Sequence, residues 1–216
     1  RPPWCDMAHV IAVLGAESTG KTQLSLALAR LLSDRGRQVT VVPEGLRQWC
    51  VDHGRTPRAD EQQAIARAQS DAITEAARQS EVVVADTTAL MTAVYSHWLF
   101  GDQSLYAEAI AAQRRMTITL LTGLDLPWVP DGIQRDGPHV RGPVDNALRE
   151  VLLREGLPHA VIYGHGDHRA WQALAVAEAC LARLALPPAP PSQPRWRWIC
   201  ERCDDGDCEQ HWLPRA

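Results

Sequence analysis

No apolar run in the 216 residues is long enough for a membrane-spanning helix, which needs roughly 18–20. No membrane partner is therefore expected. An excess of basic charge is also missing. Lys and Arg number 22 against 26 Asp and Glu, for a net charge of −4, so nothing global argues for nucleic acid or an anionic surface. The opening residues Arg1, Pro2, Pro3, Trp4, Cys5 and Asp6 lack the layout of a secretory signal. The apolar stretch that follows, residues 7–16, is taken up by a strand and a loop, and a cytoplasmic location is the expectation. There is no disulfide framework either. Cys5, Cys50 and Cys180 are scattered, and only Cys200, Cys203 and Cys208 are close together. What remains is a chain that is 45% hydrophobic, suited to one α/β domain with a short appendage.

The strongest local signal lies near the start. Residues 10–14 are an apolar, β-branched run of the kind that forms a buried parallel strand. Gly15, Ala16, Glu17, Ser18, Thr19, Gly20, Lys21 and Thr22 then match G-x-x-x-x-G-K-[ST] at every fixed position. Helix formers follow. Gly15 and Gly20 permit backbone angles that turn successive N–H groups onto a phosphate. The helix N-terminus favours the same anion. Lys21 supplies a point charge for the β- and γ-phosphates, and Thr22 a hydroxyl for Mg²⁺. The pattern points to bound ATP, without saying what is done with it.

Further along, helices are expected over residues 22–35, 61–78, 91–98, 104–115, 144–155 and 171–184, and strands over 39–42, 82–88, 116–121 and 160–163. Glu44 and Arg47 follow the second strand, at the crevice where open α/β sheets bind ligands, and are substrate-side candidates. A capping Glu and a solvated Arg are the plainer alternative. Asp86 ends the third strand after four apolar residues, a Walker-B-like pattern. Its carboxylate suits the Mg²⁺ shell or the proton of an attacking hydroxyl. Residues 123–141 read as a long lid loop carrying Arg135 and Arg141, cations suited to charge that develops in phosphoryl transfer.

Residues 187–194 are a stiff Pro-rich linker. In the tail, residues 195–216, Cys200, Cys203, Cys208 and His211 have the spacing C-x2-C-x4-C-x2-H. Three thiolates and an imidazole can close a tetrahedral Zn²⁺ site in a segment too short for its own core. A loosely ordered tail or a redox pair at Cys200 and Cys203 are the alternatives.

Taken together, residues 8–186 resemble a P-loop small-molecule kinase, and more narrowly the nicotinamide riboside kinase domain of the NadR type with its AAA-like ATPase relatives. The resemblance is carried by residues 15–22, 43–47, the end of the strand at Asp86, and Pro127 to Arg135. It implies a three-layer α/β/α P-loop NTPase fold with a mostly parallel five-stranded sheet. It also implies ATP-dependent phosphorylation of a nucleoside hydroxyl, nicotinamide riboside being the lead acceptor. Lys21, Asp86, Arg135 and Arg141 are then catalytic, Thr22 and Asp86 hold Mg²⁺, and Glu44 and Arg47 face the acceptor. The competing expectation is an ATP-dependent regulatory module whose zinc-binding tail engages a protein partner.

Overall fold

A computed structural model describes residues 8–130 and 137–185. Arg135, the Pro-rich linker at 187–194 and the Cys200, Cys203, Cys208 and His211 cluster lie outside the described residues. The chain divides into two units, Arg1–Ala182 and Arg183–Ala216, and the second falls almost wholly in the undescribed part.

Five strands form one sheet: β1 (His9–Leu14), β2 (Val39–Val42), β3 (Val82–Asp86), β4 (Ile118–Thr122) and β5 (His159–Ile162), in the order β2-β3-β1-β4-β5. Every neighbouring pair is parallel. Parallel strands need crossovers. The seven helices among the described residues are α1 (Lys21–Ser33), α2 (Gly45–His53), α3 (Gln62–Gln79), α4 (Ala89–Phe100), α5 (Tyr106–Gln113), α6 (Pro138–Arg154) and α7 (Gly166–Ala185). Six of them supply the crossovers, and α7 follows the last strand. A short 3₁₀ turn, Ala59–Glu61, leads into α3.

Period-two alternation divides the core between the two faces of the sheet. Ile11 and Val13 of β1, with Val82 and Val84 of β3, pack against Leu24, Leu28 and Leu32 of α1 and Leu174 of α7. Their alternates face the other way. Leu14 meets α4, α5 and α6, and Val10, Val83 and Ala85 meet Ile73 of α3. A strand buried on both faces must be apolar throughout, which is why β1 and β3 read as continuous hydrophobic runs. This is the three-layer α/β/α architecture that the sequence led us to expect.

Two boundaries differ from expectation for a common reason. α6 starts at Pro138, not at 144, so Arg141 lies on a helix and not on a lid loop. Gly137-Pro138 and Gly142-Pro143 look like breakers in sequence. Pro138, however, occupies the first helical position, where its missing N–H costs nothing. Burial of Val140, Val144, Leu148 and Leu152 along one face then carries the helix past Pro143. α7 likewise begins at Gly166, five residues before the expected start. No helix among the described residues is long and apolar enough to cross a membrane.

The segment between α2 and α3 is held by Glu61. Its carboxylate accepts from both terminal nitrogens of Arg55 at 2.7 Å and from the backbone N–H of Arg58 at 2.8 Å. Arg55 in turn lies over the Trp49 ring, which stacks on His53. The Arg55 hydrogen bonds foremost hold the Glu61 carboxyl down at about 2, against an ordinary value of 4.5. A depressed acid stabilises the fold above its unfolded pKa and loses that contribution as pH falls through the folded one. Glu61→Gln is therefore expected to melt below wild type at pH 7. Thermal melts taken down from pH 4.5 to about 2 should show the gap closing.

Candidate functional site

The crevice lies at the carboxyl ends of β1 and β3, where the chain turns from Leu14 into α1. Gly15 has φ +150°, and a Cβ on it would fall 1.9 Å from Thr122 Oγ1 of β4. Thr122 Oγ1 donates to the Leu14 carbonyl at 3.0 Å and lies 2.7 Å from Thr19 Oγ1. The Thr19 hydroxyl itself donates to the Ala16 carbonyl at 2.8 Å. The loop is thus braced from behind by two buried hydroxyls. Gly20, φ +73°, caps α1, whose first turn carries no acidic residue. The helix N-terminus therefore faces the loop with its positive end uncompensated. Lys21 Nζ donates to the Ala16 carbonyl at 2.9 Å, folded across the loop. Ala16 and Glu17 are buried. Ser18 takes a left-handed φ of 55° and accepts from the Val129 N–H at 2.8 Å, which ties the loop to the segment after β4.

Asp86 stands beside this loop, because β3 pairs with β1 in the register Val13↔Asp86. Its Oδ2 accepts from the Thr22 hydroxyl at 2.6 Å, and its Oδ1 is buried without a hydrogen-bond partner. Burial raises its pKa, an effect the Thr22 hydrogen bond opposes. The next residue, Thr87, is non-glycine with φ 70°, a strained position of the kind that collects at functional sites. A hydroxyl beside a carboxylate with an unmade bond is the hard oxygen donor set that suits Mg²⁺, whose shell nucleotide phosphates complete. Among the described residues no group of three or more His, Cys, Asp or Glu could hold a metal on its own.

Glu44 is the residue before α2, and Arg47 Nε donates to its carboxylate at 3.4 Å. Both line a cavity of about 260 Å³ together with Glu17, Ser18 and Lys21 of the loop. Its remaining wall is largely apolar: Leu46, Pro57, Met91, Tyr95, Leu99 and Phe100. A second, more open groove of about 600 Å³ runs along Ser18–Gln23 toward Leu126, Pro127, Val129 and Pro130. Ser18, Lys21 and Arg47 belong to both. The structure therefore brings together residues 15–22, Asp86, Glu44 and Arg47.

Arg141 is placed differently from expectation. It is buried on α6, its Nη2 donates to the Leu126 carbonyl at 2.9 Å, and it is not in the lining of either cavity. Another cation stands nearer the loop. Arg169, in the first turn of α7, is 4% exposed, and a Cβ on Gly20 would lie 3.2 Å from its Nη1. Its Nε and Nη2 are buried without partners, and burial lowers its pKa. In sequence it stands in a glycine-containing turn, before the helix start expected at residue 171.

Two buried glutamines also escaped the sequence. Gln69 accepts from the Gly45 N–H at 2.8 Å and donates to the Pro43 and Thr87 carbonyls, tying the ends of β2 and β3 together. Gln113 joins Thr88, which caps α4, to Thr119 of β4. Nothing in an Ala/Gln-rich helix marks which glutamine turns inward, save its spacing from the apolar positions Ile65 and Ile73 on the same face.

The solved structures most like this fold include a NadR protein in complex with NAD and AMP-PNP, at 21% identity and a TM-score of 0.62. That likeness covers 80% of this chain and 49% of the other. A NadR protein in complex with NR is similar at 22% identity and a TM-score of 0.64, covering 86% and 54%. Thymidylate kinase from Ehrlichia chaffeensis matches at 19% identity and a TM-score of 0.56, over 80% and 98%. The chain spans about half the length of the NadR chains. No curated protein sequence matches it significantly. The model of one family, the AAA domain, matches residues 10–169. With its intact phosphate loop, its parallel sheet and this match over most of its length, the chain belongs to the AAA-domain family.

Proposed function

We propose that the protein is an ATP-dependent kinase that phosphorylates a hydroxyl of a nucleoside-type acceptor, with nicotinamide riboside as the lead candidate. One observation carries this reading: two cavities meet at Ser18, Lys21 and Arg47. The open groove along residues 18–23 suits the donor nucleotide, and the apolar cavity suits a ring. A nucleotide-binding switch has no need of the second space, and this favours a kinase over the regulatory alternative.

The acceptor class follows from charge. The cavity's charged lining residues are Glu17, Lys21, Glu44 and Arg47, two of each sign, and Arg47 is paired with Glu44. A nucleoside monophosphate would bring a dianion into this balanced set. A neutral riboside sets its ring against Tyr95, Met91 and Phe100 and its hydroxyls toward the loop. The NadR structure with bound NR supports that choice, and the one with AMP-PNP supports an ATP-type donor.

In this account the backbone of residues 15–20 and the N-terminus of α1 cradle the phosphates, and Lys21 leaves the Ala16 carbonyl to meet the β- and γ-oxygens. Thr22 and Asp86 would hold Mg²⁺, which would supply neutralisation of phosphate charge. Asp86 also orients the attacking hydroxyl and accepts its proton. Glu44 and Arg47 position the sugar. Arg169 lies beside Gly20 with N–H groups to spare for a donor phosphate, and Arg141 braces Leu126 on the groove; Arg135, outside the described residues, keeps the lid role only as the sequence expectation. Cys200, Cys203, Cys208 and His211 lie outside the described residues, and their spacing alone is what would suit a structural Zn²⁺.

The direct test is ADP release by the purified protein with a panel of ribosides and of nucleoside monophosphates. Riboside-stimulated, Mg²⁺-dependent release is expected, and its absence across the panel removes the reading. Lys21→Met and Asp86→Asn should each lower kcat by about 100-fold or more. Arg169→Met is expected to raise the KM for ATP about tenfold, the loss of a charged hydrogen bond, while the riboside KM stays near wild type. Arg169→Lys should recover part of the loss.

A further inference from the structure

Glu44 and Asp86 come from different strand ends, and the ladder between those strands stops short of both. β2 pairs with β3 as far as Val42↔Ala85. Beyond that pair the two ends are joined by Gln69 of α3, which is 5% exposed. Its Oε1 accepts from the Gly45 N–H at 2.8 Å. Its Nε2 donates to the Pro43 carbonyl at 3.2 Å and to the Thr87 carbonyl at 3.3 Å. Pro43 and Gly45 stand on either side of Glu44, and Thr87 follows Asp86. One amide therefore grips the backbone beside both acidic residues.

The grip sets conformation at each end. The Gly45 N–H is one of the orphan donors that open α2, a kind usually taken by the preceding side chain. That side chain is Glu44, and it makes no such bond. Gln69 takes the donor in its place, which leaves the Glu44 carboxylate to accept from Arg47 and line the acceptor cavity. At the other end Thr87, a β-branched residue, is held at φ 70°. Its N–H donates to the Val13 carbonyl at 3.1 Å and its carbonyl accepts from Gln69, so the peptide units on both sides of it are pinned. The direction of Asp86 follows from that turn. There is no slack in the arrangement, because a Cβ on Gly45 would fall 2.8 Å from Gln69 Oε1.

We propose that Gln69 is a positioning residue that fixes the Glu44 turn and Asp86 relative to each other. It thereby sets where the acceptor hydroxyl lies against the carboxylate that takes its proton. This rests on the kinase reading and extends it from the groups that touch the acceptor to the one that aligns them. Arg47 apart, the donor groove is lined by the phosphate loop, the start of α1 and the segment from Leu126 to Pro130, and Gln69 bonds to none of these. Its loss falls on the acceptor and on the chemistry, not on ATP.

The test is steady-state ADP release by the full chain, with ATP and the riboside that wild type turns over fastest varied separately. Wild type, Gln69→Leu, Gly45→Ala and the double variant are compared, with melting temperatures and AMP-PNP titration reporting the folded, binding-competent fraction. Gln69→Leu is expected to lower kcat per competent site by about 10- to 100-fold, the scale of a small misplacement, and to raise the riboside KM. The KM for ATP should stay near wild type. Gly45→Ala keeps the glutamine but displaces it, so it should show the same pattern more weakly. The double variant should be little worse than Gln69→Leu, since both changes break one contact. A lowered melting temperature with kcat per competent site unchanged would make Gln69 structural and overturn the proposal. An ATP KM raised as much as the riboside KM, or effects that add in the double variant, would overturn it too. If wild type turns over no riboside, the kinase reading falls and this proposal with it, a result distinct from turnover that the variants leave unchanged.

Discussion

Gly15 has no side chain because there is no room for one. A Cβ at its φ of +150° would lie 1.9 Å from Thr122 Oγ1, and that hydroxyl is already committed to the Leu14 carbonyl. This close approach of β1's end to β4 sets where the loop turns, and the turn sets everything around it. Gly20 then starts α1 with φ +73°, so the helix axis points its N-terminus back at the space the loop encloses. Thr19 fills the gap behind the loop, and Lys21 lies across its mouth. The geometry suits an anion through backbone and absent side chains, with Lys21 across the loop and Arg169 beside Gly20.

Strand register places the remaining groups. β3 is beside β1, so Asp86 ends level with Val13 and reaches the Thr22 hydroxyl. β2 is beside β3, so the turn after Val42 delivers Glu44 and Arg47 to the same edge. Gln69 fastens those two strand ends to each other from below, through Gly45, Pro43 and Thr87. The crevice is therefore rigid where phosphate chemistry needs it to be. Ser18 to Val129 and Arg55 to Glu61 fasten the segments at its edge.

Much of this was legible before any coordinates. Buried parallel strands are apolar on both faces, so β1, β2 and β3 announced themselves within a residue or two. A phosphate loop has fixed residues because its backbone angles and its ligand admit few others. An Asp ending an apolar strand is usually just a helix cap, and Asp86 stands out only because a phosphate loop lies upstream of it at a normal spacing. Less visible were features decided by tertiary contact. Arg141 reads as a loop residue because residues 123–141 are rich in Pro, Gly, Asp and Arg, while packing of Val140, Val144 and Leu148 makes it helical. Arg169 sits in a stretch that reads as a glycine turn, and Gln69 and Gln113 in stretches whose composition is that of ordinary helix. Their roles come from which way the helix faces, and one sequence does not record that.

The account's central claim is that donor and acceptor sites meet at Lys21. An analogue joining adenosine to a riboside through a polyphosphate chain would span both cavities at once. Titration calorimetry should find it binding far more tightly than either half alone, because the second half binds intramolecularly. Lys21→Met should remove most of that advantage. A linked compound that binds no better than ATP would contradict the claim, leaving a nucleotide site without an acceptor beside it.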